Sequence, residues 1–198
     1  MSVMRTTESP DERRRHIAEA VWRIVRRDGI NAVSTRTVAA EAGMVLGSLR
    51  HYFPRQSDAV AFAMRLVMER ATGRIRGIVA VAGPEGASGP ELLEQFLPLD
   101  EERREEMEVW LVFAGAALAD DALAPLKRDS DATMLAIIRR IVSAAAPADT
   151  PLDRVERVAD RMRALTDGLA AHLVGRYPAL TPASARAILA DEYRGMWA

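Results

Sequence analysis

Apolar residues recur at three- and four-residue intervals from early in the chain, and no stretch alternates over the length of a strand. Ile17, Val21, Ile24 and Val25, with Ala18 and Ala20, share one stripe, and Arg13, Arg14, Arg23 and Arg27 fall largely outside it. This spacing predicts a first helix ending near Asp28 and Gly29. Ser34 suits the N-cap of a short helix over 35–42, and Gly43 permits the left-handed conformation at which that helix turns. A third helix over 46–53 is stopped by Pro54. A long helix then opens at Gln56 or Ser57 and runs to about residue 81, with Val60, Ala63, Met64, Val67, Met68, Ala71, Ile75 and Ile78 in helical register. Gly73 and Gly77 weaken its later half. The glycine- and proline-rich stretch 83–90 reads as a linker, after which helices resume at 91–97, 100–119, 124–146, 152–177 and 182–196. The expected fold is all-α, about nine helices, with a three-helix helix-turn-helix head over 1–56 and a larger helical body over 57–198.

Length and composition support a folded protein: 198 residues, 49% hydrophobic, form one compact core with a small appended domain. The absence of cysteine excludes disulfides, thiolate metal sites and cysteine nucleophiles. The N-terminal residues lack the apolar core of a signal peptide, and the longest uncharged apolar run, 109–119, is well short of the roughly 20 residues that span a bilayer. A soluble cytoplasmic protein without a membrane partner is expected. The formal net charge of -1 argues against a nucleic-acid partner only until the charge is located. Residues 1–56 carry ten arginines against six acids, so a basic head sits on an acidic body. Screening limits the reach of a charge to roughly 10 Å at ordinary salt, so distant acids cancel little of that local surplus.

The segment Thr35-Arg-Thr-Val-Ala-Ala-Glu-Ala-Gly-Met-Val-Leu-Gly-Ser-Leu-Arg-His-Tyr-Phe53 meets several steric requirements of a helix-turn-helix together. Val38 and Ala42 face inward, small Ala39 admits the second helix, Gly43 makes the turn, and Met44 and Leu49 plug the angle. The outward positions are polar or basic, which disfavours an ordinary core hairpin.

Gly43-Met-Val-Leu-Gly-Ser-Leu-Arg-His-Tyr-Phe53 resembles the TetR family of transcriptional regulators, whose heads read along the lines of Gly-Val-Ser-Lys-Gly-Thr-Leu-Tyr-His-His-Phe before a long helix. The match spans about 17–67, and its Leu-Arg-His-Tyr-Phe form is similar to the BetI-type subgroup, named for a choline-responsive repressor. The resemblance implies a homodimer on double-stranded DNA at a pseudo-palindromic operator, released when a small-molecule effector binds the body. Leu46, Gly47 and Ser48 are implied at base edges or the adjacent sugar; their small or apolar side chains favour readout of shape and thymine methyls. Arg50 stands where the family usually has tyrosine, and an arginine there either forks onto guanine or holds a phosphate. Arg36 matches a position from which family members reach a base, and reads equally as a solvated arginine. Thr35, His51, Tyr52, Arg55 and Gln56 are expected as backbone clamps, beside the free N–H groups that open the long helix. Arg5 is either a minor-groove arm or part of a floppy terminus.

For the body, the resemblance implies that the last two helices meet their symmetry mates in a four-helix bundle. Val155, Val158, Leu165, Leu169 and Leu173, then Ile188, Tyr193 and Trp197, form the expected seam, part of which must also face the subunit's own core. A pocket is expected among Phe62, Leu66, Met107, Trp110, Phe113, Met134, Ile138 and Met162, each of which also reads as an ordinary core residue. Asp167 and His172 are the polar groups expected to orient a ligand, against the alternative of a surface Asp and a core His. The acidic run 100–108 is either a solvated first turn or the rim of a pocket for a cation.

Other classes fit less well. His16, His51 and His172 form no His-Glu-x-x-His, and neither the Glu-x-x-His of a di-iron bundle nor Gly-x-Ser-x-Gly occurs, so no enzyme, metal site or cofactor is expected. The glycines of 83–90 follow no strand and precede no Gly-Lys-Ser/Thr, which disfavours a phosphate loop. A helical protein-binding adaptor, or an activator with the same head, remains the alternative.

Overall fold

The computed structural model describes residues 9–83 and 86–198; Arg5 and residues 84 and 85 of the expected linker lie outside them. Among the described residues there are nine α-helices and no strand. They divide into two compact units, Met1–Leu66 and Val67–Ala198.

In the first unit, α1 (Pro10–Asp28) begins at a reciprocal cap: the Glu12 N–H donates to Ser9 Oγ at 3.2 Å and the Ser9 N–H to Glu12 Oε2 at 2.7 Å. Its apolar stripe, Ile17 to Val25, is buried, and the helix ends where Gly29 takes φ +82°. Ser34 caps α2 (Thr35–Glu41) through the Thr37 N–H. Gly43, at φ +63°, then reverses the chain into α3 (Leu46–Tyr52). Val38, Ala39, Ala42 and Leu49 are buried and Met44 half-buried, so the expected plug of the helix-turn-helix is formed.

The first compact unit extends to Leu66 and so takes in the first turns of α4 (Gln56–Ala82), which pack into the head. Ala59, Val60 and Ala63 are buried there, and Trp22 Nε1 donates to the Ala63 carbonyl at 2.9 Å. Trp22→Phe deletes this bond and, since phenyl is smaller than indole, leaves a cavity at a buried site. The lost bond and the cavity together should cost roughly 2 kcal/mol, read as a lower denaturant midpoint with an unchanged slope.

The second unit contains the rest of α4, followed by α5 (Gly89–Leu93), α6 (Glu101–Ala116), α7 (Ala124–Ala144), α8 (Leu152–Leu173) and α9 (Pro182–Gly195). The helix expected over 91–97 is instead α5 followed by a 3-10 turn at Glu94–Phe96. Helix α8 stops four residues before the expected 177. Gly175 takes φ +94°, and the His172 carbonyl accepts from the N–H groups of Ala179 and Leu180. Leu93, Leu97, Ile138, Met162, Leu173 and Leu189 form the fully buried centre of this unit. No helix among the described residues is long and apolar enough to cross a membrane.

Candidate functional site

Helix α3 spends one side chain, Leu49 at 1% exposure, on the core of the head and presents Leu46, Gly47, Ser48, Arg50 and His51 to solvent. The cause is local: a helix of two turns anchored by one leucine leaves most of its circumference outside. Ser48, His51 and Tyr52 share a shallow depression with Arg13, Gly43, Met44 and Val45. The His51 and Tyr52 rings meet edge to face, centroids 5.4 Å apart. Arg13 and Val45 were not foreseen on this surface. The signal for Arg13 was its place off the apolar stripe of α1, whereas Val45, 72% exposed, gave none.

Arg36 is exposed and Thr35 half-buried at the start of α2. Arg55 is engaged by Asp58: its Nη2 donates to Oδ1 at 3.0 Å and its backbone N–H to Oδ2 at 3.1 Å. The side-chain bond from Arg55 holds the Asp58 carboxyl below its ordinary range. The first turn of α4, expected to offer bare N–H groups to a phosphate, thus carries its own carboxylate, with exposed Gln56 beside it. The angle between α1 and α2 is braced by Glu41, which accepts from Arg23 Nε at 2.8 Å and Arg27 Nη1 at 3.0 Å. The Arg23 bond first, then the Arg27 bond, keep the Glu41 carboxyl below its ordinary value.

In the second unit, four helices turn stripes toward a cavity of about 220 Å³. Helix α7 contributes Lys127, Ser130, Asp131 and Met134, spaced i, i+3, i+4 and i+7, and α8 contributes Arg163, Asp167 and Ala170. Glu106, Met107 and Trp110 come from α6, Met68, Ala71 and Arg74 from α4, and Phe96 from the 3-10 turn. Its acids are all paired. Glu106, 3% exposed, receives the Arg74 fork at 3.1 and 2.8 Å, and Arg74 also donates to the Gln95 carbonyl at 3.2 Å. Asp131 accepts from Lys127 Nζ at 2.6 Å and Arg163 Nη2 at 2.8 Å; Asp167 accepts from Arg163 Nε at 3.3 Å. Burial pushes the Glu106 carboxyl above its ordinary value, against the opposing pull of Arg74.

Met107, Trp110, Met134 and Asp167 therefore stand where a ligand pocket was expected, and six other residues do not. Phe113, Ile138 and Met162 are fully buried and do not line the cavity: Phe113 lies behind Trp110, ring centroids 5.6 Å apart, Ile138 one turn beyond Met134 on α7, and Ile138 and Met162 are part of the packed centre. Phe62 and Leu66 belong to the first unit, the Phe62 ring lying 5.4 Å from that of Phe53. His172 is exposed in the last turn of α8, where the chain leaves the core. Of the charged residues here, Glu106 falls in the acidic run read as a candidate rim, whereas Arg74, Lys127, Asp131 and Arg163 each read in sequence as part of a solvated helix face.

Residues 90–198 match the family described as BetI-type transcriptional repressor, C-terminal. The HTH-type transcriptional regulator PksA of Bacillus subtilis is 35% identical over 164 residues, 82% of this chain and 78% of its own length. The chain belongs to the TetR family, with a BetI-type C-terminal domain. This TetR-family regulator shares its fold with a TetR-family protein from Rhodococcus (TM-score 0.77, 20% identity, covering 95% of this chain and 100% of that one). It also resembles a transcriptional regulator from Saccharomonospora viridis solved in complex with choline (TM-score 0.73, 24% identity, 93% and 96% covered). The family is one of transcriptional regulators and not of enzymes.

The seam expected between two copies of the regulator is largely consumed inside one copy. Val155, Val158, Leu169 and Leu173 are buried in its own core, and Leu165, Tyr193 and Trp197 pack against that core. The reason is tertiary: α8 turns its apolar stripe on α7 and α9. Tyr193 lies so close to Gly89 that a Cβ there would meet its hydroxyl. Ile188, 39% exposed, is the expected seam residue left on the surface. In the acidic run, Asp100 caps α6 by accepting from the Arg103 N–H at 2.8 Å, Glu101 and Glu102 are exposed, and Glu106 reaches the cavity wall. The start of the run is thus a solvated first turn, while Glu106 lies on the cavity wall in the grip of Arg74.

Proposed function

We propose that the regulator is a ligand-responsive repressor that binds a pseudo-palindromic operator as a cytoplasmic homodimer and releases it when a small molecule enters the cavity of the second unit. The supporting observation is the outward face of α3, where Leu46, Gly47, Ser48, Arg50 and His51 stand free of the core on a helix locked by Leu49 and the Gly43 turn. A head that bound protein through this face would not show the steep salt dependence that phosphate neutralisation imposes.

Thr35, His51, Tyr52 and Gln56 act as backbone contacts in this reading, Leu46, Gly47 and Ser48 lie at base edges or the adjacent sugar, and Arg36 and Arg50 are the candidates for direct readout. The twofold contact uses the outer faces of α8 and α9, where Ala164, Ala171, Ala187 and Ile188 are exposed, and not the buried seam. Small side chains there permit close approach of a second helix pair. The effector acts through α4, which lines the cavity with Met68, Ala71 and Arg74 and continues from the Gln56–Leu66 stretch of the head. Preferential binding to one body conformation shifts the population of operator-competent molecules.

A mobility-shift titration against the DNA upstream of the regulator's own gene tests this. Affinity should fall steeply between about 50 and 200 mM salt. Arg50→Ala should lower specific affinity roughly tenfold or more while changing non-specific binding less, as loss of a base contact requires. Equal losses would make Arg50 a phosphate contact, and salt-independent or absent binding would remove the DNA reading of this face.

A further inference from the structure

We infer that the effector is a small organic carboxylate with an apolar body, its carboxylate received by Lys127 and Ser130 and its body laid against Met107, Trp110 and Met134. This rests on the sensor reading proposed above and adds to it the charge and size of the molecule sensed.

Charge pairing supplies the first argument. The cavity is lined by Arg74, Arg103, Lys127 and Arg163 and by Glu106, Asp131 and Asp167, and Arg103 is answered from outside the lining by Asp100, to whose Oδ2 its Nε donates at 2.8 Å. Each acid is already held by an arginine or lysine, so none is left to receive an incoming cation. A positively charged ligand would find no carboxylate free to receive it in this half-enclosed space, whereas an anion finds in Lys127 a cation with donors to spare.

Hydrogen-bonding capacity supplies the second. Lys127 is the sole lysine of the chain, and its ammonium, with three donors, makes one hydrogen bond among the described residues, to Asp131 at 2.6 Å. Ser130 is 6% exposed and lies one turn further along the same face of α7. The hydroxyls of Thr133 and Thr166 each donate to a carbonyl one turn back at 2.8 Å; that of Ser130 makes no hydrogen bond among the described residues. Two neighbouring groups at i and i+3 thus hold spare donors and lack an acceptor. A carboxylate supplies acceptors to both, and a quaternary ammonium supplies none.

Size supplies the third. A cavity of 150 Å³ accommodates benzene, so about 220 Å³ admits a molecule of roughly ten non-hydrogen atoms. Trp110 and Phe96, with the thioethers of Met107 and Met134, form the apolar wall for its body.

The test is calorimetric titration and thermal shift of the full-length protein at pH 7.5 and constant ionic strength. The probes are benzoate, phenylacetate and hexanoate, each paired with its neutral amide, and choline. At least one acid should bind tenfold or more tightly than its amide. Lys127→Met and Ser130→Ala should each weaken the acid more than its amide, Lys127→Met erasing the preference, while Lys127→Arg retains it. Far-UV circular dichroism checks that each variant is folded. Equal binding of acid and amide, binding of choline alone, or binding of no probe would each overturn the inference. Operator affinity measured with the same probes separates the two readings. An acid that binds without weakening the operator complex leaves the ligand class standing and removes the sensor function; release by choline does the reverse.

Discussion

Leu49→Ala should abolish operator binding at ordinary temperatures, because it removes the one side chain by which α3 is fastened to the head. Leu49 is 1% exposed and packs in a unit that ends at Leu66. Truncating a fully buried leucine costs roughly 2–5 kcal/mol, whereas a domain holds only about 0.05–0.15 kcal/mol per residue in total, so the head cannot absorb the loss easily. The body, built around a separate centre, should keep its transition. Hydrogen exchange resolved along the chain is the appropriate readout: amides of α1 to α3 should lose protection while those of α7 and α8 keep theirs. Uniform loss of protection would show that the two units unfold together, and full retention of DNA binding would show that α3 is held by something other than Leu49.

The second large effect is expected at the Arg74–Glu106 pair. Arg74→Met leaves the carboxylate of Glu106 nearly sealed from solvent, with Arg70 at 3.9 Å as a distant remaining partner. Breaking a buried pair in this way costs about 3 kcal/mol, toward the lower end of the usual range because Arg74 is a quarter exposed and Arg70 remains. Burial already raises the Glu106 carboxyl above its ordinary 4.5 in the intact protein, so the native state holds its proton at pH values where the unfolded chain has released it. The stability associated with this group is therefore fully present below about pH 4.5 and is lost as pH rises through the raised native value. Compared at each pH with Glu106→Gln, which does not titrate, the native protein should lose relative stability across that window. The cost of Arg74→Met should shrink on acidification for the same reason. Urea unfolding from pH 4 to pH 8 checks both. A native advantage over Glu106→Gln that grows with pH would mean that the arginine fork outweighs burial, and the assignment of cause would be reversed.

The cavity and the brace between α1 and α2 show how the protein uses arginine. Paired with Glu41, Arg23 and Arg27 fix the angle of α2 against α1. Paired with Asp131 and Asp167, Arg163 ties α8 to α7 at the cavity wall. Exposed single pairs contribute little to stability, so the first brace serves orientation; the second sits where a ligand would compete for its partners.

What the sequence alone determined is local. The nine helices, the caps at Ser34 and Asp100, the turn at Gly43 and the plug made by Val38, Ala42 and Leu49 depend on residues within a few turns of one another, where spacing and capping chemistry decide the outcome. The same holds for the outward face of α3. What only the tertiary structure decided is the assignment of each apolar stripe to a partner. Val155, Val158, Leu169 and Leu173 carry the pattern of an interface and are spent on their own core, and Phe113, Ile138 and Met162, expected to line a cavity, are packed behind its wall. Hydrophobic burial is non-directional, so periodicity shows that a face must be covered without showing by what. Most of the charged wall of the cavity was hidden for the complementary reason: Arg74, Lys127, Asp131 and Arg163 come from three helices far apart along the chain, and a charge reads as solvated until the fold sets its counter-ion beside it.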